Sequence, residues 1–403
     1  MNTKYDIAVV GGGIVGLLTS LALARTGCSI IHIEKDELEV KNDNRSIAVS
    51  YSSIAFLNTL GLWDKVASKT QSIKKVHVSD KGRYGRAEIF AKDENLPFLG
   101  AIAPMQELLS VALQSVTENQ NIEKAFKTNV ISLQKNADDY SLVVEQEQQN
   151  KIIQASLIIA CDGANSSMRK MLNVGVQTTD YKQDAIVFDI QTDLDNQNTA
   201  YERFMTDGVL AMLPKSKTTM GCVWTVDRND SKEKLNLENN EFQEMIQDRF
   251  GYRLGQIKVA TKPAVFPLYL VQSNEVYKNN VLFFGNALHF LHPISGQGMN
   301  LSIRDIGFLY DLIVESDFSQ NSIAEVLEEF TKVRKPDHDR TINITHGFVK
   351  WFVSNDFKFV VSRNVGLHLL QRSKLAKKVL SRVMMGKLTR GSTLMRKVVE
   401  DEH

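Results

Sequence analysis

One stretch late in the chain, Gly285-Asn286-Ala287-Leu288-His289-Phe290-Leu291-His292-Pro293-Ile294-Ser295-Gly296-Gln297-Gly298-Met299-Asn300-Leu301, has residue types and spacing suited to chemistry. It reads as a glycine-rich turn entering an amphipathic helix, because Met299, Ile303, Ile306 and Tyr310 follow close to helical spacing. The first amides of a helix have no carbonyl partner and sit at the positive end of its dipole, so a helix starting here favours a group that gains negative charge. His289 and His292 flank the turn. Each has two readings, an imidazole that moves a proton near neutral pH or a structural side chain of the turn.

Two further constellations precede it. Gly11-Gly12-Gly13-Ile14-Val15-Gly16 places Gly11, Gly13 and Gly16 in a GxGxxG pattern. Glycines there permit a tight turn, close approach to a pyrophosphate and close helix packing. Glu34 stands where a carboxylate accepts the hydroxyls of an adenosine ribose. Arg45 reads either as a neutraliser of phosphate near the glycine loop or as an ordinary surface arginine. Asp162-Gly163 opens a segment that runs to Arg169 after a buried apolar run. An acid–glycine pair at the carboxyl end of a strand lies where open α/β sheets bind ligands, or is a turn with a helix cap.

These residues need elements to hold them. Residues 5–10 read as a buried strand, 14–26 as a helix closed by Gly27, and 29–33 as a second strand, a βαβ opening. Residues 108–116 read as a helix, with strands at 140–145 and 156–160. Between 176 and 275 the texture changes to short alternating segments at 185–192, 199–205, 209–213 and 219–226, which predict an antiparallel sheet, and 76–91 shares that alternation. The expected fold is α/β: a Rossmann-like domain from 1–72, 101–175 and 276–345, interleaved with an antiparallel-sheet domain from 73–100 and 176–275, to which the family resemblance given below assigns the substrate. A basic helical segment, 346–403, follows.

Composition narrows the function. The 403 residues, 43% hydrophobic and 24% charged, suit two globular domains. Lys and Arg total 48 against 47 Asp and Glu, so the net charge of +1 gives no electrostatic case for nucleic acid and points to a small-molecule ligand. Cys28, Cys161 and Cys222 form no CxxC pair, which argues against a zinc site or disulfide framework and for a reducing compartment. No secretion-type leader and no run of about 18 apolar residues is read in the sequence, so a cytoplasmic location is expected.

Taken in order, the GxGxxG, the DGxxSxxR formed by Asp162, Gly163, Ser166 and Arg169, and the GDxxHxxxPxxGxGxN pattern matched from Gly285 to Asn300 resemble the aromatic-ring flavoprotein monooxygenases of the para-hydroxybenzoate hydroxylase type. The resemblance implies an FAD cofactor, with NAD(P)H and O2 as co-substrates and no catalytic triad. It places Gly11, Gly13, Gly16, Glu34, Arg45, Gln106, Asp162, Gly163, Asn286, Pro293, Gly296, Gly298, Met299 and Asn300 at the cofactor. The amides of Met299 and Asn300 would face the N1/C2 carbonyl region of the flavin, and Pro293 and Gln297 would line its reacting face.

Within that family the chain resembles the ubiquinone-biosynthesis hydroxylases, through His77-Val78-Ser79-Asp80-Lys81-Gly82, Glu202-Arg203-Phe204, Leu210-Ala211-Met212-Leu213-Pro214 and Gly251-Tyr252-Arg253-Leu254-Gly255. Asn286 stands where most members carry aspartate, a departure shared with the subgroup acting on an octaprenyl-methoxyphenol. The implied substrate is a polyprenyl-methoxyphenol. Hydroxylation at another ring position, or a flavin-stabilised scaffold in a ubiquinone-synthesis complex, are the alternatives. Phe204, Leu210, Met212 and Trp224 read as a prenyl groove or as plain core. The basic residues of 372–397 read as a peripheral contact with the inner membrane or a partner protein, or as the solvated face of packed helices.

Overall fold

The computed structural model describes residues 3–37, 45–136, 140–291, 296–316, 323–353, 357–386 and 391–396. Its first sheet is parallel at the centre, with Val281–Phe283, Gln149–Ala160, Lys4–Val10, Ile30–Ile33 and Ile122–Ala125 side by side. Ile7, Ala8, Val9, Ile31, Ile33, Leu157, Ile158 and Ile159 are all fully buried, the near-continuous apolar pattern of strands covered on both faces. One cover contains the helix Ile14–Leu23, followed by a 3₁₀ turn, Ala24–Thr26, and Gly27 at φ 86°. The positive φ is the left-handed conformation that glycine adopts without penalty after a helix.

The second sheet runs His289–Phe290, Ala264–Ser273, Val176–Thr192, Thr219–Asp227, Gly208–Pro214, Thr199–Met205, Lys75–Asp80 and Arg86–Phe90. Alternation sets its two faces. Ile186, Phe188, Ile190, Leu210, Met212, Cys222 and Trp224 form a core with Phe242, Ile246 and Phe250 of the helix Asn239–Phe250. One joint departs from the antiparallel pattern: Lys75–Asp80 lies parallel to Thr199–Met205, pairing Val76 with Ala200 and Val78 with Glu202. The early hairpin thus extends the later sheet.

A three-stranded sheet, Ser46–Ser50, Gly100–Pro104 and Gln71–Ile73, joins the two. Ile73, Val76, Ile89, Leu99, Ile102, Ala200 and Met385 share a core there, so the second sheet presents its Val76 face toward Ser46–Ser50. The helices Gln297–Glu315, Ile323–Val353, Phe357–Arg372 and Lys374–Met384 complete the chain, and residues 345 and 346 lie within one unbroken helix. Among the described residues no helix is long and apolar enough to cross a membrane.

Candidate active site

The glycine turn is held by close backbone approach. Gly11 has φ 118°, and a Cβ on it would lie 2.5 Å from the Cys161 carbonyl oxygen. A Cβ on Gly16 would lie 1.9 Å from the Gly11 carbonyl oxygen, whereas one on Gly13 would meet no atom within 4 Å. Gly11 and Gly16 are therefore required by packing, and Gly13 faces open space. Glu34 leans over the same turn. Its Oε2 accepts the Gly12 N–H and its Oε1 the Asp36 N–H, at 3.1 Å for the latter.

The other two motifs meet this turn. Cys161 N–H donates to the Val10 carbonyl at 2.7 Å, which sets Asp162-Gly163 beside Gly11. Asp162 Oδ2 accepts the Ser167 hydroxyl and the Met168 N–H, each at 3.0 Å, and Ser166 Oγ accepts the Arg169 N–H at 3.0 Å. Both readings of Asp162 thus find a basis, because Oδ2 caps the short helix while Oδ1 is buried with no partner among the described residues. Arg169, 4% exposed, donates to the Ala164 carbonyl at 2.5 Å and to the Ala287 carbonyl. It ties the aspartate turn to the Gly285–Ala287 turn, where Gly285, at φ 57°, lies against Val15 of the first helix. Asn286 is exposed at that turn.

The helix Gln297–Glu315 begins after Gly296, at φ 59°. Asn300 is 2% exposed, and its side chain is committed to structure: Oδ1 accepts the Ser50 N–H at 2.9 Å, while Nδ2 donates to the carbonyls of Ala48 and Gly296 at 2.9 and 2.7 Å. These bonds fasten the helix start to the strand Ser46–Ser50, which leaves the early backbone amides of Gln297, Gly298 and Met299 as groups the helix itself cannot pair. A Cβ on Gly298 would meet nothing within 4 Å, and Gln297 is buried. Arg45 and Gln106 come together from distant sequence, because the Met105 N–H donates to the Arg45 carbonyl at 2.9 Å and Gln106 follows in the first turn of the helix Met105–Glu118. His292 and Pro293 lie outside the described residues.

His289 sits in a buried ionic network. Asp305 Oδ1 accepts Arg334 Nε–H and meets His338 Nε2, both at 2.7 Å, and His289 Nε2 lies 3.5 Å from Asp305 Oδ2. Asp337 Oδ2 accepts from Arg304 Nε and Arg334 Nη2 at 2.8 and 2.7 Å. Asp305, against the pull of its burial, is held well below the usual carboxylate range by His338 and Arg334. The network locks the helix Gln297–Glu315 to Ile323–Val353, which supports the structural reading of His289.

Sequence reasoning did not single out Glu202 as a titrating group. It shares a sheet face with Ala200, Val76 and Val78, the face turned toward Ser46–Ser50, and desolvation pushes its carboxyl up to about 7. The only sequence signal was a charged residue at an inward position of a strand. Leu210, Met212 and Trp224 point the opposite way, into the core beneath Asn239–Phe250, so they are core and not a groove at this site. Phe204, two residues further along the strand, lies on the same face as Glu202 and is buried.

The site fits a flavin dinucleotide. Carboxylate acceptors at Glu34 and Asp162, open space over Gly13 and Gly298, and an unpaired helix start meet around one junction of three motifs. Comparison with known proteins agrees. The FAD binding domain family matches residues 4–336. The ubiquinone hydroxylase UbiL of Rhodospirillum rubrum is 26% identical over 397 residues, covering 96% of this chain and 90% of its own. The 3-demethoxyubiquinol 3-hydroxylase of Escherichia coli is 27% identical over 393 residues, covering 96% and 99%. Among solved structures, p-nitrophenol 4-monooxygenase PnpA of Pseudomonas putida shares the fold with a TM-score of 0.77 at 16% identity, over 96% of this chain and 100% of that one. Fold and site define an FAD-dependent monooxygenase, a mixed α/β protein with a Rossmann-like parallel sheet and a largely antiparallel second sheet. The chain belongs to the FAD binding domain family.

Proposed function

We propose that this protein hydroxylates a prenylated phenol in ubiquinone biosynthesis, with a polyprenyl-methoxyphenol of the octaprenyl type as substrate. The observation that carries the reading is relatedness over 96% of the chain to named ubiquinone hydroxylases. FAD, when bound, takes electrons from NAD(P)H and activates O2; the chain positions it and its substrate. In this reading Glu34 receives the ribose, and the glycine turn receives the pyrophosphate with Arg45 beside it. Asp162, Gly163 and Asn286 hold the linking chain. The amides of Met299 and Asn300 face the flavin carbonyl region, with Gln106, Pro293, Gly296, Gln297 and Gly298 around the ring. Glu202 supplies a carboxyl that titrates near neutrality, suited to taking the proton of a phenol.

Residues 1–72, 101–175 and 276–345 form the FAD-binding unit, 73–100 and 176–275 the substrate unit, and 346–403 a C-terminal segment joined through the helix Ile323–Val353. The cations of 372–397 contact the inner-membrane surface or a ubiquinone-synthesis complex. Purified protein should carry a flavin spectrum and oxidise NAD(P)H faster when a prenylated methoxyphenol is added with O2. Positional analysis of the product then identifies the ring carbon. Bound FAD with no stimulation by any prenylated phenol would overturn the proposal.

A further inference from the structure

The second sheet has another face, and a cleft of about 1010 Å³ opens on it. Its walls include Lys75, His77 and Ser79 from one strand, which alternate with the Val76 and Val78 that face Ser46–Ser50. The cleft therefore lies on the side of the sheet turned away from the cofactor site. Lys75, Arg83, Arg86, Arg203 and Arg253 line it against two acids, Asp80 and Glu88, a local excess of three positive charges in a chain whose net charge is +1.

The carboxylate of Glu88 is already used, by Lys75 Nζ at 2.6 Å and His77 Nδ1 at 3.1 Å. His77 Nε2 accepts from Arg253 Nη1 at 2.7 Å, so the ring is neutral with its proton on Nδ1, in line with burial lowering its pKa. The Arg253 guanidinium has no other hydrogen-bond partner among the described residues and lies 5.5 Å from the Phe250 ring centre. Arg203 donates to the Arg249 carbonyl at 2.6 Å, and its pKa is depressed by burial and then by the like charge of Arg253, which the carboxylates of Asp80 and Asp248 offset only in part. Arg83 and Arg86 are exposed on the hairpin that also carries Tyr84, 96% exposed. None of the four arginines pairs with a carboxylate among the described residues. Two guanidiniums that oppose each other, held by a neutral histidine and aromatic rings, are relieved by an anion between them, and the arginine fork suits a phosphate.

We propose that this cleft binds a phosphate group, carried by a soluble nucleotide-sized molecule or by a phospholipid headgroup. The volume exceeds one phosphate and suits a ligand of nucleotide size. The test uses the full FAD-loaded chain with two probes, adenosine 2′,5′-bisphosphate by calorimetry and phosphatidylcholine vesicles with or without phosphatidylglycerol by sedimentation. Wild-type protein should bind at least one probe, more weakly as salt rises, and Arg83→Glu with Arg86→Glu should weaken that binding at least about tenfold. Bisphosphate binding identifies the soluble source; sedimentation that needs phosphatidylglycerol, without bisphosphate binding, identifies the headgroup. Both substituted side chains are exposed, so flavin content and unfolding midpoint should stay at wild type, and Arg253→Gln gives an independent second variant. Binding of neither probe, or equal binding by wild type and both variants, overturns the proposal.

Discussion

Replacing Glu202 with glutamine should make the protein more stable above neutral pH, with a much smaller gain in mild acid. Desolvation raises the carboxyl from 4.5 to about 7 in the folded chain. Below pH 4.5 both folded and unfolded chains hold the proton, so the group costs nothing. Between 4.5 and 7 the unfolded chain releases it while the folded chain retains it, and stability falls as pH rises. Above 7 the folded chain must ionise inside the sheet, at a total cost of about 3 kcal/mol. Glutamine keeps the shape and removes the ionisation. For cooperative unfolding of a chain of this length, that difference corresponds to roughly 4 °C in Tm. The assay is thermal unfolding of wild type and Glu202→Gln at pH 5 and pH 8, by circular dichroism with flavin present at saturation. A Tm difference that is equal at the two pH values would refute the reasoning, because it would show that the carboxyl is solvated or paired in the folded protein.

Other substitutions test other parts of the structure. Arg334→Ala leaves Asp305 and Asp337 without a shared buried cation, and should cost about 3–5 kcal/mol in denaturant unfolding; a loss under about 1 kcal/mol would show that the network is dispensable. Gly16→Ala drives a Cβ into the Gly11 carbonyl, so purified protein should lose FAD and melt early. Gly13→Ala meets no protein atom, so it should keep the apo fold while weakening FAD about tenfold or more through a clash with the ligand alone; flavin titration of the apo proteins distinguishes the two. Asn286→Asp restores a charged acceptor at an exposed turn, and should tighten FAD by a few-fold, about 1 kcal/mol, with an unchanged apo melting temperature.

Local pattern made the flavin-binding half of the chain readable. The apolar run before Gly11, the helical spacing after it and Gly27 report on backbone geometry within a few residues, and the folded chain uses them in that way. What depends on distant partners was not readable. Nothing in 75–80 announces a parallel neighbour at Thr199–Met205, and the alternation that placed it in a sheet is silent on direction. The motif pattern points to the backbone amide of Asn300, and only the fold shows its side chain spent on Ser50, Ala48 and Gly296. Arg169 was visible as a motif residue, but its carbonyl partner on Ala287 was not. In the sequence Glu202 is only one residue of a family-like string, because desolvation comes from packing that no local sequence signal encodes.

The Arg169 bond has a consequence for synthesis. It spans 118 residues, and the strand Val281–Phe283 that delivers its acceptor also pairs with Gln149–Ala160 near the middle of the parallel sheet. A chain emerging from its N-terminus can build the βαβ opening early, yet Gln149–Ala160 keeps one unpaired edge and Arg169 lacks a carbonyl until residue 287 has been made. The intervening residues build most of the second sheet during that interval. Cofactor capture is therefore expected to be a late event, with a vulnerable sheet edge exposed in the nascent protein until then.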